Sequence, residues 1–346
     1  MARAKQDSNT EAKNKFQEAL DKLNKAYGVG TVLALDSKSN GDYDVISTGS
    51  IGFDYITLGV GGFVKGRLYE LMGWEGTGKS TICGHAAAEC QKAGGTVLYI
   101  DGEHAVDKKY FQALGVDTTK MLIAQPSCGE EGFNIAMEMI NTGDIDLVII
   151  DSDSSLIPKK VLDGEVGDSS IGKKAVLNSN AYPKLKTALS ANNVCVIVIS
   201  QYREKIGVMF GNPTTTQGGH ALKFYSDVRV EVSRSLAKDG DVTYGNLTKV
   251  KATKNKLNPP YRLSSFEIVY GEGIDKLGEI MELGNEYEVL KKWGKTITFN
   301  ETKYDLEDFK RMIMDNPEFY ESIKQSIVNK IKETDDVKAS TVEDQA

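Results

Sequence analysis

Residues 73–81, Gly-Trp-Glu-Gly-Thr-Gly-Lys-Ser-Thr, fit the pattern G-x-x-x-x-G-K-[ST] with Gly73, Gly78, Lys79 and Ser80 at its fixed positions. Each residue type has a task in gripping a nucleoside triphosphate. A loop of Gly73, Trp74, Glu75, Gly76, Thr77 and Gly78 turns backbone N–H groups inward around phosphates. Lys79 then reaches the β- and γ-phosphates, and the Ser80 hydroxyl, followed by Thr81, completes a Mg²⁺ shell. A plain glycine-rich turn would need none of this. The context also fits: residues 67–72 read as a buried strand and 80–90 as a helix, whose N-terminus adds its own attraction for phosphate.

Further carboxylates and amides stand where such a site needs them. Leu147-Val148-Ile149-Ile150-Asp151 is an apolar strand ending in an acid, the placing expected of a residue that holds Mg²⁺ opposite Ser80. Glu103 follows another apolar strand and is placed to deprotonate an attacking water, although a surface carboxylate at a strand end would read the same in isolation. Gln201 ends a third strand and offers an amide to the γ-phosphate. After it comes a long glycine-, threonine- and asparagine-rich loop carrying Arg203, Lys205, the apolar patch Ile206-Gly207-Val208-Met209-Phe210, then Gly211 and Asn212. Loops of this length inside a compact domain are uncommon and usually functional or disordered. Basic groups, free N–H groups and Phe210 or Ile206 suit a contact that tracks single-stranded nucleic acid and separates its bases. A second glycine-rich turn runs from Asp163 to Gly172 and leads into Lys173-Lys174. On composition alone, both segments serve equally well as a mobile lid over a nucleotide.

The elements that must position these groups follow from the hydrophobic pattern. Residues 96–100, 121–124, 147–150 and 194–199 are near-continuous apolar runs, as strands buried on both faces of a parallel sheet are. Strands near 228–232, 247–252 and 265–269 alternate, which suits a partly exposed antiparallel edge. Beyond Gly271-Glu272-Gly273 the pattern turns mainly helical, with a helix start at Asn316-Pro317. Near the N-terminus, residues 11–27 place Phe16, Leu20 and Leu23 at helical spacing. This amphipathic helix must bury its stripe on its own domain or on a neighbouring subunit.

Composition bounds the class. Of 346 residues, 40% are hydrophobic and 26% charged, as in an ordinary globular protein. No apolar run reaches the ~20 residues that span a bilayer, and the first residues lack a signal peptide's apolar stretch, so a cytoplasmic location without a membrane partner is expected. The four cysteines form no C-x-x-C pair and the three histidines are scattered, which points away from a disulfide framework or a zinc site. The net charge of −7 is unevenly spread. Its acidic end, from residue 333, reads as a solvated, disordered tail, or as a competitor with DNA for basic surface.

Taken in order, these motifs resemble the bacterial RecA recombinases, from about residue 11 to 275 and more loosely to 332. The resemblance is carried by Ser47-Thr48-Gly49-Ser50, the phosphate loop, Ile100-Asp101-Gly102-Glu103-His104-Ala105, Gly164-Glu165-Val166-Gly167-Asp168-Ser169, Lys205 to Pro213, Gly218-Gly219-His220-Ala221-Leu222-Lys223-Phe224-Tyr225 and Lys254-Asn255-Lys256. It implies an α/β fold: a P-loop ATPase core with a mostly parallel, twisted sheet flanked by helices. An N-terminal oligomerisation helix lies in 1–40, the core with both DNA loops in 41–275, a small C-terminal α/β domain in 276–332 and the tail in 333–346. The implied activity is DNA-dependent hydrolysis of ATP with Mg²⁺, in a helical filament on single-stranded DNA that pairs and exchanges strands with duplex DNA in recombination, repair and the SOS response.

The resemblance also assigns residues. Glu103 is the catalytic carboxylate, Gln201 the γ-phosphate sensor, and Asp107 and Tyr110 contact the adenine. Lys254 and Lys256 reach the ATP of the neighbouring subunit. Gly164, Glu165, Val166, Gly167, Ile171 and Gly172 belong to the first DNA loop. The second runs over 202–216, with Gly218 and Gly219 following, and Ile171 and Phe210 separate bases. Phe224 packs at the subunit interface, where the helix bearing Phe16, Leu20 and Leu23 also docks. A self-cleaving repressor and loading proteins are further expected partners that no motif here specifies. Departures from the family pattern are few: Trp74 for Pro, Gly76 for Ser, Asp153-Ser154-Ser155 after Ser152, Ser200 for Asn and the Lys173-Lys174 pair. They suggest a divergent, phage-encoded member in which Asp153 adds a carboxylate near the metal. Two competing readings are an ATP-switched scaffold and a ring-forming motor on the same core.

Overall fold

The computed structural model describes residues 15–26, 43–165, 168, 170, 172–204 and 214–343. Residues up to Tyr43 form one unit and those from Asp44 another. In the first, helix α1 (15–26) leaves Phe16 66% and Leu23 41% exposed, with Leu20 half-buried.

Beside the short ribbon of β1 (Val45–Ile46) and β2 (Phe63–Val64) and the one-turn helix α5 (Lys159–Leu162), the second unit is built on one large sheet. Its parallel part runs β9 (Val228–Asp239), β3 (Leu68–Gly73), β7 (Cys195–Glu204), β6 (Leu147–Asp151), β4 (Val97–Asp101) and β5 (Leu122–Ala124). From β9 the sheet continues antiparallel through β10 (Val242–Asn255), β11 (Leu263–Val269) and β12 (Gly273–Ile274). Strands β3, β4 and β6 are buried along their whole length, which is why they read as unbroken apolar runs. One face packs on helix α2 (Lys79–Lys92) through Ile82, Cys83, Ala86 and Ala87; the other on α4 (Gly129–Thr142) and α6 (Lys173–Ala191) through Phe133, Tyr182 and Leu185. All four cysteines are free.

The run 121–124 departs from its expected burial. Leu122 and Ile123 are 40% and 49% exposed, because β5 is the last strand of the order and has a partner on one side only. An apolar run alone cannot separate an edge strand from a central one.

After residue 275 the chain gathers a further core, which Ile51 from ahead of the sheet also joins. Helix α8 (Lys276–Glu286), the meander β13 (Lys291–Trp293), β14 (Thr296–Phe299) and β15 (Thr302–Asp305), and helices α9 (Leu306–Asp315) and α10 (Pro317–Glu343) bring together Ile280, Phe299, Phe309, Ile323 and Ile327. Asn316 Oδ1 accepts from the N–H groups of Glu318 and Phe319 at 3.0 and 3.1 Å, with Pro317 as the first helical residue, so α10 starts where the sequence marks it. It runs on to Glu343, so the acidic segment from 333 continues a helix. Extending an existing helix costs far less than starting one, and Arg262 clamps Asp335 with two contacts of 2.8 and 2.6 Å.

The helix that follows the phosphate loop is tied to the antiparallel flank by His85. Its Nε2 accepts the N–H of Ile274 at 2.9 Å, and burial, with Lys276 nearby, pulls its pKa down to about 4. Glu89 opposes and Lys92 reinforces this. The folded state therefore refuses a proton that the unfolded chain takes up, and stability present above pH 6.5 is lost as pH falls through 4, on the order of 3 kcal/mol. Asp54 and Glu279, both pushed up to about 7 by burial, act with the opposite sign as pH rises through that value. The variant His85→Gln isolates the histidine: in urea unfolding, the wild type should lose stability relative to it between pH 7 and pH 4.5. A constant gap between the two proteins would remove His85 as the source.

Candidate active site

The carboxyl ends of the central parallel strands meet in one cleft, the usual position of a ligand site in an open α/β sheet. It encloses about 280 Å³ and is lined by Glu75 to Thr81, Glu103, Tyr110, Asp151, Ile199, Gln201, Asn246, Ile268 and Tyr270. The phosphate loop leaves β3, Glu103 follows β4, Asp151 ends β6 and Gln201 lies on β7. Parallel register aligns them: Asp101 pairs with Asp151, and Gly73 with Gln201.

Close packing requires the loop's glycines. A Cβ on Gly73 would stand 2.2 Å from the Val232 carbonyl oxygen, and Gly78, at φ 93°, would place one 2.5 Å from Ile268 Cδ1. Lys79 is 6% exposed and donates to the carbonyl oxygens of Gly73 and Trp74 at 3.1 and 2.6 Å. Burial lowers its pKa, while Asp151 and Glu103 draw it back up. An ammonium held this way is matched to an anionic ligand in the loop. Trp74 is half-exposed and meets Tyr202 edge-on at 5.9 Å.

Asp151 is buried and accepts from Ser80 Oγ at 2.7 Å and Tyr99 OH at 2.6 Å. Burial raises its pKa and these two hydrogen bonds pull it back. Among the described residues no group of three His, Cys, Asp or Glu side chains can hold a metal. A hydroxyl and one carboxylate nevertheless suit Mg²⁺, which takes few protein ligands and completes its shell with water and phosphate oxygens. The residues present therefore fit both a triphosphate and its cation.

Glu103 is exposed to the cleft, and its Oε1 accepts from Ser152 Oγ at 2.6 Å and Gln201 Nε2 at 2.9 Å. Strand ends far apart in sequence thus share one carboxylate. Tyr110 lines the cleft on helix α3 (Lys108–Ala113), with its hydroxyl 2.8 Å from Thr81 Oγ1. Asp107 caps that helix through the N–H groups of Lys109 and Tyr110 at 2.8 and 3.3 Å.

Sequence reasoning missed the opposite wall. Asn246 Oδ1 accepts from Arg234 Nη1 at 2.8 Å and Tyr270 OH at 3.0 Å, and Tyr270 is half-exposed. The one available signal was a buried polar residue, Asn246, within an alternating strand.

Lys254 and Lys256 do not join this cleft in the same chain. Lys254 stands on the same strand as Asn246, roughly 25 Å further along by strand rise, beyond the reach of a lysine. Its Nζ donates to the carbonyl oxygens of Lys223 and Phe224, each at 3.0 Å, at the end of helix α7 (Ala221–Tyr225). Lys256 pairs with Asp227 at 3.3 Å, and Phe224 is 73% exposed beside them.

Of the two loops, Gly164, Glu165, Gly172, Arg203, Gly218 and Gly219 are described; Val166, Gly167, Ile171 and 205–213 lie outside the described residues. Arg203 pairs with Thr215 of β8 (Thr214–Thr216). Two expectations are corrected. Asp153 adds no carboxylate to the metal position: the 3₁₀ turn Asp153–Ser155 carries it into the interior, where it is 1% exposed and 3.1 Å from Asn178 Nδ2. Lys174 adds no free charge to the first loop, because its Nζ is bound to the Leu156 carbonyl oxygen at 2.5 Å and lies 3.7 Å from Asp153.

Residues 14–275 match the family described as the RecA N-terminal domain. The chain is 47% identical over 321 residues to Protein RecA of Cytophaga hutchinsonii, covering 92% of this chain and 90% of that one. It is 44% identical to Protein RecA of Porphyromonas gingivalis, over 91% of this chain and 93% of the other. Against Protein RecA of Clostridium tetani the identity is 42%, over 91% of each.

Proposed function

The chain belongs to the RecA family, and from that premise we propose that it is an ATP-dependent homologous recombinase that assembles as a helical filament on single-stranded DNA and exchanges strands with a homologous duplex. The observation that carries this reading is Glu103, held by both Ser152 and Gln201 at the mouth of the phosphate-loop cleft. No helix among the described residues is long and apolar enough to cross a membrane.

Lys79 and the loop N–H groups hold the triphosphate, and Tyr110 and Tyr270 offer aromatic faces to its base. Ser80 and Asp151 would hold Mg²⁺, which when bound neutralises charge on the phosphate oxygens. Glu103 takes the proton of the water that attacks the γ-phosphorus, and ADP leaves. Gln201, bonded to Glu103 and followed by the second loop, links the site to DNA. Lys254 and Lys256 complete a neighbour's cleft, which makes correct stacking a condition of turnover. The loops at 164–172 and 202–216, with Gly218 and Gly219 behind the second, form the DNA contact. Helix α1 and Phe224 form the subunit contact. Strand exchange itself needs no covalent DNA chemistry from the protein, since sequence is read by base pairing. Loading proteins and a self-cleaving repressor are the further partners this reading supplies.

The direct test is steady-state ATP hydrolysis with and without single-stranded DNA at modest salt. Strong stimulation is expected. Slow hydrolysis indifferent to DNA would support a nucleotide-switched scaffold instead.

A further inference from the structure

A buried polar cluster lies directly behind the catalytic carboxylate and touches the ends of both loops. Asp153 is one residue from Ser152, whose hydroxyl holds Glu103. Asn178 Nδ2 donates to both Asp153 oxygens at 3.1 Å, the Tyr182 hydroxyl donates to Oδ1 at 2.5 Å, and Lys174 Nζ lies 3.7 Å away. Lys174, Asn178 and Tyr182 follow one another at four-residue spacing along α6, so they share a face of the helix. That helix begins immediately after Gly172, the last residue of the first loop.

The cluster reaches the second loop as well. Asn178 Nδ2 donates to the Gly218 carbonyl oxygen at 3.2 Å. Gly218 has φ +86°, and a Cβ there would stand 2.2 Å from Asn178 Nδ2 and 2.9 Å from Asp153 Oδ2. No slack separates the returning loop from the cluster, so a shift of Gly218 must move Asn178, and with it Asp153.

Stability alone gives little reason to keep such a group. A buried ionic cluster replaced by apolar side chains of equal volume often leaves a protein as stable or more so. Two buried side-chain oxygens also lack partners: Asn178 Oδ1 within the cluster and, on the residue before Gln201, Ser200 Oγ. Buried polar atoms are normally paired. The cluster thus holds unused hydrogen-bonding capacity at Asn178 Oδ1.

We propose that Asp153, Lys174, Asn178 and Tyr182 are positioning residues that transmit DNA engagement at the two loops to the Ser152–Glu103 end of the ATP cleft. This rests on the reading of the chain as a DNA-stimulated ATPase. It adds a buried route that runs through α6, distinct from the direct contact between Gln201 and Glu103. None of the four lines the cleft, so they act through Ser152 and not on substrate.

The test replaces the whole cluster with apolar groups of similar volume, Asp153→Val, Lys174→Met, Asn178→Leu and Tyr182→Phe together, alongside the single variant Tyr182→Phe. ATP hydrolysis is measured with and without an oligothymidine. The fourfold variant should keep DNA-free hydrolysis within about twofold of wild type while its stimulation by DNA falls roughly tenfold or more, with Tyr182→Phe between them. A folded fourfold variant stimulated like wild type would reduce the cluster to a structural role and overturn the proposal. Hydrogen exchange on the wild-type protein gives a readout independent of any variant's folding. Adding the oligonucleotide should change protection at 152–156 as well as at 214–220, and no change at 152–156 overturns the proposal equally. If the wild type itself is not stimulated by DNA, the functional reading fails, and this inference with it.

Discussion

Glu103→Gln is expected to lower ATP turnover by about a hundredfold or more while ATP and DNA binding stay within roughly twofold of wild type. The substitution preserves shape. A glutamine Oε1 still accepts from Ser152 Oγ and Gln201 Nε2, which now bond Glu103 at 2.6 and 2.9 Å, so the wall of the cleft keeps its form. What it removes is a carboxylate able to take a proton from water. Lys79, the loop N–H groups and the Ser80–Asp151 pair are untouched, which is why binding should persist. Single-turnover hydrolysis and equilibrium nucleotide binding, measured on the same preparation, separate the two effects. Undiminished turnover would take Glu103 out of the catalytic role, and loss of binding would make it a structural support.

The second large effect concerns Lys254 and Lys256. Replacing both with Ala should abolish DNA-stimulated turnover although no residue of the cleft has changed. The sharper expectation comes from mixing. Glu103→Gln subunits have intact lysines and a dead cleft; Lys254→Ala/Lys256→Ala subunits have an intact cleft and no lysines to lend. Co-assembled in equal amounts, they should recover activity at about a quarter of their contacts, as a head-to-tail interface requires. Recovery is impossible if each lysine pair serves its own cleft, and no recovery would return both lysines to a role within their own chain. Lys254 now caps α7, beside the exposed Phe224. On the proposed role, taking up a neighbour's nucleotide would disturb the very helix that presents Phe224.

The sequence made some of this legible and hid the rest, for physical reasons. The phosphate loop and Asp151 could be read because their chemistry is local: a fixed spacing at one strand end. Glu103 and Gln201 were visible only as polar residues after apolar runs, and what joins them is parallel register across β4, β6 and β7. Asn246 and Tyr270 were missed because they come from the antiparallel flank, where no short motif announces a cleft wall. Asp153 misled for the opposite reason. Two residues from Asp151 looks close in sequence, but a single tight turn sends the side chain into the interior. Likewise, the acidic composition after residue 333 says how the segment is solvated, and says nothing of the helix already running into it.

The distance along β10 between Asn246 at the cleft and Lys254 gives any row of these subunits a direction. With Lys254 and Lys256 completing a neighbour's cleft as proposed, one terminal molecule would show a cleft that nothing covers and the other lysines with nothing beneath them. The two tips are therefore chemically unlike. Nucleotide consumed in the interior would leave the uncovered tip charged with fuel that it cannot burn, so growth and loss at the two tips would obey different rules.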